Sequence, residues 1–512
     1  MNIKVRNAIF FLMVFVLIFD HTPKPVQLNF LGGPVGNKLE VYPLSIAFLY
    51  SFYCQYRYGG IFKDFKVFAR YVAVFIGVML LSTVAGLIHY PYYDLILNGP
   101  ADQIEKLPRV LDFLASHGIA ADPKLLAQCW IVARQVKGVF LEAFWCFGGA
   151  YLVYSWYREE WKVALRIAVK AVLGALGVLF LYAMVEVAYL AGNPTAKSIL
   201  SCINPYIHPI VTNHGWWPPL LWKGQMRLVF PEPSHVGNFI AFGLPLLWYM
   251  YYKAERKQAG VALVMTATMS FLVFLTKART AYAMLIGMMV LLLCLILLGR
   301  KYGLLKKFAA LMVSVAIGFG GFVSFNAITQ TIATQAIATQ AIEDNFLSLT
   351  AGNKRSNGAR YGLLRAHFRT GMAHPVLGVG RGLAGAYVAE NFTPEEAKNK
   401  EIASWIHYQE ERGPMAVGYS MPDAMNEFVT RFSNSGILGL LTVLFPFAYV
   451  VMRLLKDWMR CRTLEPMFMA FALLSSLVAG CNGSWNLLYG VWLLLGLAYA
   501  VAWGRRGDRD NR

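Results

Sequence analysis

Residues 276–301 read TKARTAYAMLIGMMVLLLCLILLGRK. The stretch over 281–299 is apolar and uncharged, and it is long enough to cross the hydrocarbon core of a bilayer as one helix. Basic residues lie at both of its ends, with Lys277 and Arg279 before it and an Arg–Lys pair after it. The stretch predicts a transmembrane helix, because a helix satisfies its own backbone hydrogen bonds within lipid.

The same pattern recurs along the whole chain. Of its 512 residues, 57% are hydrophobic and only 15% are charged. A soluble chain could not bury that much apolar surface, because interiors stop growing at about 250–300 residues. Apolar runs of spanning length lie near 8–20, 41–56, 71–90, 138–156, 166–191, 236–252, 260–276, 281–299, 308–326, 435–454, 466–481 and 487–504. The sequence therefore predicts an all-α, polytopic transmembrane helix bundle of about twelve spans.

The charges indicate how the spans are oriented. If every second loop faces the cytoplasm, all segments on that side are basic: the start of the chain, 57–70, 157–166, 253–257, 300–307, 453–462 and the tail from Arg505. Basic loops face the cytoplasm in membrane proteins, so both termini are predicted to be cytoplasmic. The net charge of +19 is explained by this topology. Nucleic acid is therefore not an expected partner.

The long loops fall on the opposite side of the membrane. We predict three parts: residues 1–326 with spans 1–9, a large extracytoplasmic loop over 327–434, and residues 435–512 with spans 10–12 and a cytoplasmic tail. The short cytoplasmic loops contain no phosphate-cradling glycine motif, and no Asp, Glu, His or Cys set has metal-ligand spacing. The chemistry is therefore expected outside the cytoplasm, on the large loop, without nucleotide, metal or cofactor.

Two basic residues break the charge rule. Lys277 and Arg279 lie in a very short outside turn, where a charge is costly and usually has a partner and a role. The planar guanidinium of Arg279 suits bidentate capture of a phosphate, so a functional role is favoured there. Lys277 either binds the substrate or extends to the phosphates of the outer leaflet.

The large loop is divided by charge. Residues 354–381 carry six basic side chains and no acidic one, and 382–431 is rich in Glu. A basic arm at a membrane surface suits an anionic phosphate ligand, and Arg355, Arg360 and Arg365 are its candidate contacts. A solvated helix face is the alternative for Arg365, which lies one turn from Arg369.

The segment HGWWPPLLWKGQMRLVFPEPSHVGNF (214–239) leads into the span at 236–252. Trp217 is a candidate platform for a sugar ring, although an aromatic belt at the membrane interface is the alternative. Glu232 and His235, an acid and an imidazole at the outer mouth of a span, are candidate general bases. A capping role for Glu232 or Ser234 at the next helix start is the alternative.

These motifs, in this order, resemble the O-antigen ligase and O-antigen polymerase superfamily of bacterial envelope glycan synthesis. The resemblance covers roughly 200–455. It consists of a T-x-(S/A)-R-T element at 276–280, Arg360 followed by HPVLGVGRG (374–382), and MNEFVTRFSNSGILGL (425–440). EPSHVG, within the Trp-rich segment, is similar to a motif of the exopolysaccharide-polymerase members.

The resemblance implies a multi-pass enzyme of the bacterial inner membrane. It would transfer glycan from an undecaprenyl-pyrophosphate carrier to a sugar hydroxyl of another lipid-linked chain, among membrane lipids and with a chain-length regulator as a further partner. Arg279 and Arg360 would neutralise the leaving pyrophosphate without a metal, and Glu232 would deprotonate the hydroxyl. Asn426 and Arg431 of the third motif would contact substrate.

Three functions remain open. Ligase members usually carry His just before the motif Asn, where this chain has Met425, so the resemblance favours an O-antigen or exopolysaccharide polymerase. The second is the ligase that transfers glycan to lipid A-core. A transporter of polysaccharide or lipid-linked sugar is the third, and its charges would lie in mid-span. Glu142, Lys170 and Glu186 are the main mid-span charges here, and no twofold repeat is visible.

The topology predicts how single cysteines react with an impermeant thiol reagent in intact cells. In a variant without native cysteines, position 395 should be labelled and position 302 protected. Labelling at 302 with protection at 395 would reverse the map.

Overall fold

The computed structural model describes residues 1–19, 22–28, 36–98, 104, 107–208, 219–222, 224–329, 355–415, 421–485 and 490–510, without the side chains of 355–357 and 505–510. Within these ranges the regular structure is helical and no β-strand occurs. The prediction of an all-α fold is therefore confirmed.

The helices that precede the largest loop are α1 (Ile3–Phe15), α2 (Val41–Tyr58), α3 (Phe65–Ile88), α4 (Tyr93–Leu97), α5 (Leu107–Ser116), α6 (Pro123–Glu142), α7 (Gly148–Tyr157), α8 (Trp161–Leu190), α9 (Pro194–Ile207), α10 (His235–Lys253), α11 (Arg256–Leu275), α12 (Arg279–Leu298) and α13 (Leu305–Thr329). Those that follow are α14 (Arg355–Ala373), α15 (Ala384–Glu390), α16 (Pro394–Ala397), α17 (Lys400–Arg412), α18 (Glu427–Cys461), α19 (Leu464–Ala479) and α20 (Gly490–Asp510). A π-helical turn, Ala143–Phe147, joins α6 to α7.

Eight helical segments are long and apolar enough to cross a membrane: Phe65–Ile88, Pro123–Tyr157, Trp161–Leu190, Arg256–Leu275, Arg279–Leu298, Tyr302–Thr329, Glu427–Cys461 and Leu464–Asn482. Each of the predicted apolar runs overlaps a described helix. An integral membrane protein is therefore confirmed. The remaining runs correspond to α1, α2, α10 and α20, which are shorter or less apolar, so the number twelve stays a prediction.

The basic loops meet one another on one face of the bundle. Ion pairs join them: Arg6–Glu160, Arg158–Asp64 at 2.6 Å and Lys253–Glu465 at 2.6 Å. An alternating topology requires this common face, since every second loop must return to it. The assignment of this face to the cytoplasm stays a prediction.

Helix α10 is the central element of the bundle. It packs against α11, α12 and α19, and most of its residues are buried, with Trp248 fully enclosed. The start of α10 is also close to the start of α12, because Gly237 lies against the backbone of Ala281. The Glu232–His235 segment and the Arg279 turn therefore reach the surface side by side.

The glycine-rich turn at 374–382 interlocks with a kink in α18. The kink lies at Gly436, whose φ is 61°. Backbone hydrogen bonds cross in both directions: the Val379 N–H donates to Ser433 O at 3.0 Å, and the Ile437 N–H donates to Pro375 O at 2.8 Å. The turn that ends α14 is thereby fixed on the outer part of α18.

Two glycines make this close approach possible. A Cβ atom at Gly378 would lie 2.5 Å from the carbonyl carbon of Asn434, and one at Gly436 would lie 2.3 Å from that of Val376. Both glycines also have positive φ, which disfavours any L side chain. The glycines of two motifs thus meet at one backbone crossing.

We expect Gly378→Ala and Gly436→Ala each to lower the thermal unfolding midpoint of the detergent-solubilised protein. The strained backbone alone costs about 1–3 kcal/mol per site, and the clash adds to it. Gly287→Ala is the matched control, because this helical glycine has open space where the methyl group would lie. Midpoints equal to that of the control would contradict the interlock.

Candidate functional site

Arg279 is the first residue of α12, after a tight reversal from α11. The hydroxyl of Thr276 donates to Val273 O at 2.6 Å and accepts the Ala278 N–H at 3.1 Å. Lys277 adopts left-handed backbone geometry with φ 51°. These bonds explain the Thr of the TKART element, since they close the turn. The turn holds Arg279 at a helix N-terminus, where the backbone favours anions.

Arg360 on α14 is the residue that the fold brings to Arg279. The two guanidiniums are close enough for their positive charges to repel, and Tyr361 lies beside Arg279 as well. The side chain of Arg360 is exposed and forms no salt bridge with the described residues. The sequence separation between these arginines is large, yet the fold brings them close enough to interact electrostatically. Such a pair is suited to a ligand that carries more than one negative charge.

Glu232 lies just before α10, on the same side of the bundle as Arg279. Its carboxylate is exposed and accepts a hydrogen bond from the Ser234 hydroxyl at 3.4 Å. Ser234 is the N-cap of α10, but its side chain makes no capping hydrogen bond. The capping alternative for Ser234 is therefore not realised. His235 is the first residue of α10 and lies next to this acid.

Lys277 is covered by the loop that precedes α10. A Cβ atom at Gly224 would lie 3.7 Å from the Lys277 ammonium, and burial lowers the pKa of Lys277. The Met226 N–H donates to Leu275 O at 3.2 Å, so the loop is attached to the end of α11. Lys277 is thus directed under the loop.

Glu186 of α8 holds this loop in place. Its carboxylate, which is fully buried, accepts the Leu228 N–H at 2.8 Å and the Arg227 N–H at 3.5 Å. The mid-span acid found in the sequence therefore has a positional role. It fixes the chain that leads to Glu232.

Arg365 lies within reach of an acid of the same loop. Glu396 receives two hydrogen bonds from the neighbouring Arg369, at 2.8 and 3.0 Å, and Arg365 lies 3.9 Å from it. Arg365 thus shares a helix face with the Arg369–Glu396 pair, and its contact with substrate stays a prediction. The side chain of Arg355 and the whole of Trp217 lie outside the described residues.

Asn426 and Arg431 both have structural partners. Asn426 is the N-cap of α18, and its side-chain oxygen accepts the N–H groups of Phe428 and Val429 at 3.1 and 3.2 Å. Arg431 forms ion pairs with Glu142 and Glu427, each at 2.5 Å. Each side chain stabilises the start of α18, and contact of either with substrate stays a prediction.

A buried charge network surrounds Glu142, which is only 4% exposed. Its carboxylate pairs with Arg431 of α18 and, at 2.8 Å, with Arg381 of the glycine-rich turn. Glu427 completes the set and also accepts the Trp485 N–H at 3.0 Å. The sequence shows Glu142 as a mid-span charge and Arg381 at the end of a motif, but it gives no sign that they pair.

His367 is also occupied by the fold. One ring nitrogen contacts the Ser433 hydroxyl and the other contacts Pro422 O, both at 3.0 Å. Burial lowers the pKa of His367, which favours the neutral ring. Met425, where ligase members carry His, has left-handed geometry and a side chain that is 37% exposed. Among the described residues, no group of three or more His, Cys, Asp or Glu side chains is arranged to hold a metal.

The comparison with known families agrees with the motifs. Residues 264–444, from within α11 to within α18, match the family model described as O-antigen ligase. This region contains the TKART turn, Arg360, the glycine-rich turn and the kink of α18. The match confirms the resemblance to the O-antigen ligase and polymerase superfamily, and it supports a membrane glycosyltransferase of that type. No curated protein matches the chain.

Removal of the carboxylate at Glu142 should destabilise the protein strongly. Glu142→Gln leaves Arg381 and Arg431 without their shared counter-ion, and an unpaired buried charge typically costs about 3–5 kcal/mol. The measurement is the thermal unfolding midpoint in detergent.

The control is Glu411→Gln, which breaks an exposed pair with His407 at 3.2 Å. Surface pairs contribute about 0–1 kcal/mol, so this variant should match the wild type. If both variants unfold at the same temperature, the buried network does not stabilise the fold.

Proposed function

We propose that this protein polymerises undecaprenyl-pyrophosphate-linked oligosaccharide repeat units into O-antigen or exopolysaccharide at the periplasmic face of the bacterial inner membrane. The observation that carries the proposal is the meeting of Arg279 and Arg360. Two neighbouring guanidiniums, one of them at a helix N-terminus, match a pyrophosphate, which carries negative charge on the oxygens of two phosphates.

The reaction follows from the leaving group. A hydroxyl oxygen of the acceptor sugar attacks the anomeric carbon of the donor glycan, and the bond from that carbon to the pyrophosphate oxygen breaks. The pyrophosphate leaves with the electron pair, still attached to its polyprenyl chain. Charge therefore develops on the leaving oxygen, where Arg279 and Arg360 would stabilise it as fixed hydrogen-bond donors.

The proton of the attacking hydroxyl needs an acceptor, and Glu232 suits this role. Its carboxylate is exposed, with the Ser234 hydroxyl as its hydrogen-bond donor. It also lies just before α10, whose start packs beside α12. His235, one turn of chain away, is the second candidate for the same step.

The ligase is the second candidate function, because the family model that matches the chain is described as O-antigen ligase. Both enzymes would take the same donor and differ in the acceptor. Met425 supports the polymerase, since a thioether cannot take up a proton as the His of ligase members can. The product distinguishes them: polymer on the polyprenyl carrier for a polymerase, and glycan on lipid A-core for a ligase.

A transporter has less support. Its mid-span charges should line a route for the substrate. Glu142 instead pairs with Arg381 and Arg431, and Glu186 accepts backbone N–H groups of the loop before α10. Both acids therefore stabilise the fold.

The arginine pair predicts a sharp mutational effect. Arg279→Ala and Arg360→Ala should each lower activity by about 100–1000-fold, equivalent to about 2.7–4 kcal/mol of transition-state stabilisation. Arg279→Lys and Arg360→Lys should also be impaired, because lysine keeps the positive charge but lacks the planar guanidinium that binds a phosphate bidentately. The measurement is polymer length on a gel, from a deletion strain that carries each variant.

The control is Arg412→Ala, at the exposed end of α17 and on the acidic side of the loop, which should support normal polymer. Membrane levels of each variant are compared by blot. Normal polymer from both Lys variants would show that only the positive charge of these side chains matters, and that bidentate hydrogen bonding does not. Normal polymer from both Ala variants would contradict the assignment of Arg279 and Arg360 to a pyrophosphate site.

We also expect turnover of lipid-linked substrate in EDTA without added ATP. The arginines supply the positive charge that a metal ion would otherwise provide. Purified protein is assayed for chain extension with and without chelator. Activity lost with EDTA and restored by magnesium would indicate a metal-assisted mechanism.

A further inference from the structure

A second basic site lies on the face that carries the basic loops. Helices α8, α10 and α11 enclose a groove of about 650 Å³ there. Four cationic side chains line it, Lys162, Arg166, Lys170 and Lys253, and its described lining contains no acidic residue. Val169 and Leu173 are part of its apolar wall.

Three of the cations form a stripe along α8. Lys162, Arg166 and Lys170 are each four residues apart, so they share one helix face, and all three are exposed. Like charges at this spacing repel one another. The stripe is therefore unfavourable unless an anion lies against it.

Lys170 is the most informative member of the stripe. It lies within the membrane-spanning segment Trp161–Leu190, about 13 Å along the helix from Trp161 at about 1.5 Å per residue. A charge at that depth normally has a partner. Neither Arg166 nor Lys170 forms an ion pair with any residue that the structure describes. Lys253, in contrast, pairs with Glu465 at 2.6 Å.

We propose that this groove binds an anionic phospholipid with two phosphates, of the cardiolipin class. Three cations spread along α8 match two phosphates better than one. The apolar wall can contact the acyl chains of a lipid, whereas a soluble anion has no apolar part to pack against it. Basic pockets between transmembrane helices on the cytoplasmic side are suited to such headgroups. This site is independent of the glycan chemistry on the opposite face.

The full chain in a zwitterionic detergent is titrated with cardiolipin, phosphatidylglycerol or phosphatidylcholine, and bound lipid is counted by native mass spectrometry. Cardiolipin should bind most tightly and phosphatidylcholine least. The double variant Arg166→Ala/Lys170→Ala should bind cardiolipin about 30-fold more weakly, since each basic residue near an anionic lipid contributes about fivefold.

The matched control is Lys456→Ala/Arg460→Ala, near the end of α18. It removes two exposed cations with the same four-residue spacing on the same face, outside the groove. Its affinity for cardiolipin should equal that of the wild type. The variant Arg166→Lys/Lys170→Arg keeps both charges and should retain binding, which separates lost charge from misfolding.

Three outcomes would overturn the proposal. Equal losses in the two Ala double variants would mean that only overall charge attracts the lipid. Phosphatidylglycerol binding as tightly as cardiolipin would exclude a two-phosphate site. Displacement of cardiolipin by an equal concentration of a polyprenyl phosphate would assign the groove to that carrier.

Discussion

The carboxylate of Glu142 is the constraint on which the outer half of the structure depends. It lies in an apolar helix and is almost fully buried, so it can persist as an anion only between two cations. Arg381 and Arg431 supply them. Because Arg381 ends the glycine-rich turn and Arg431 lies at the start of α18, one side chain ties both elements to α6.

The placement of Arg360 follows from that attachment. Helix α14 runs into the glycine-rich turn, and the turn is fixed on α18 by backbone hydrogen bonds that cross at Gly378 and Gly436. Arg360 is therefore held at a defined position although its own side chain is exposed. Two positive charges repel each other when Arg360 lies near Arg279. The buried network around Glu142 and the backbone crossing at Gly378 and Gly436 offset that repulsion. Strain at a functional site is typically supported by stability elsewhere.

Hydropathy and charge predicted the helices, the common face of the basic loops and a short turn before the span at 281–299, because these features depend on local sequence. The pairing of Glu142 with Arg431 depends on a contact between residues far apart in the chain, and no periodicity encodes it. The sequence therefore does not reveal the structural role of Arg431, whose contact with substrate stays a prediction. The N-cap role of Asn426 is easier to infer from the sequence, since an Asn before an apolar helical run is a common N-cap.

Two sets of basic side chains differ in whether the protein supplies their counter-ion. Arg369, Arg381 and Arg431 are matched by carboxylates of the same chain, and each joins two elements of the fold. Arg360 on one face, and Arg166 and Lys170 on the other, have no carboxylate among the described residues. In a bilayer, a cation without a protein partner is stabilised mainly by phosphate, because the hydrocarbon offers no other anion. The same physical rule therefore supports both proposals, a lipid-linked pyrophosphate at the Arg279–Arg360 site and a phospholipid in the groove along α8.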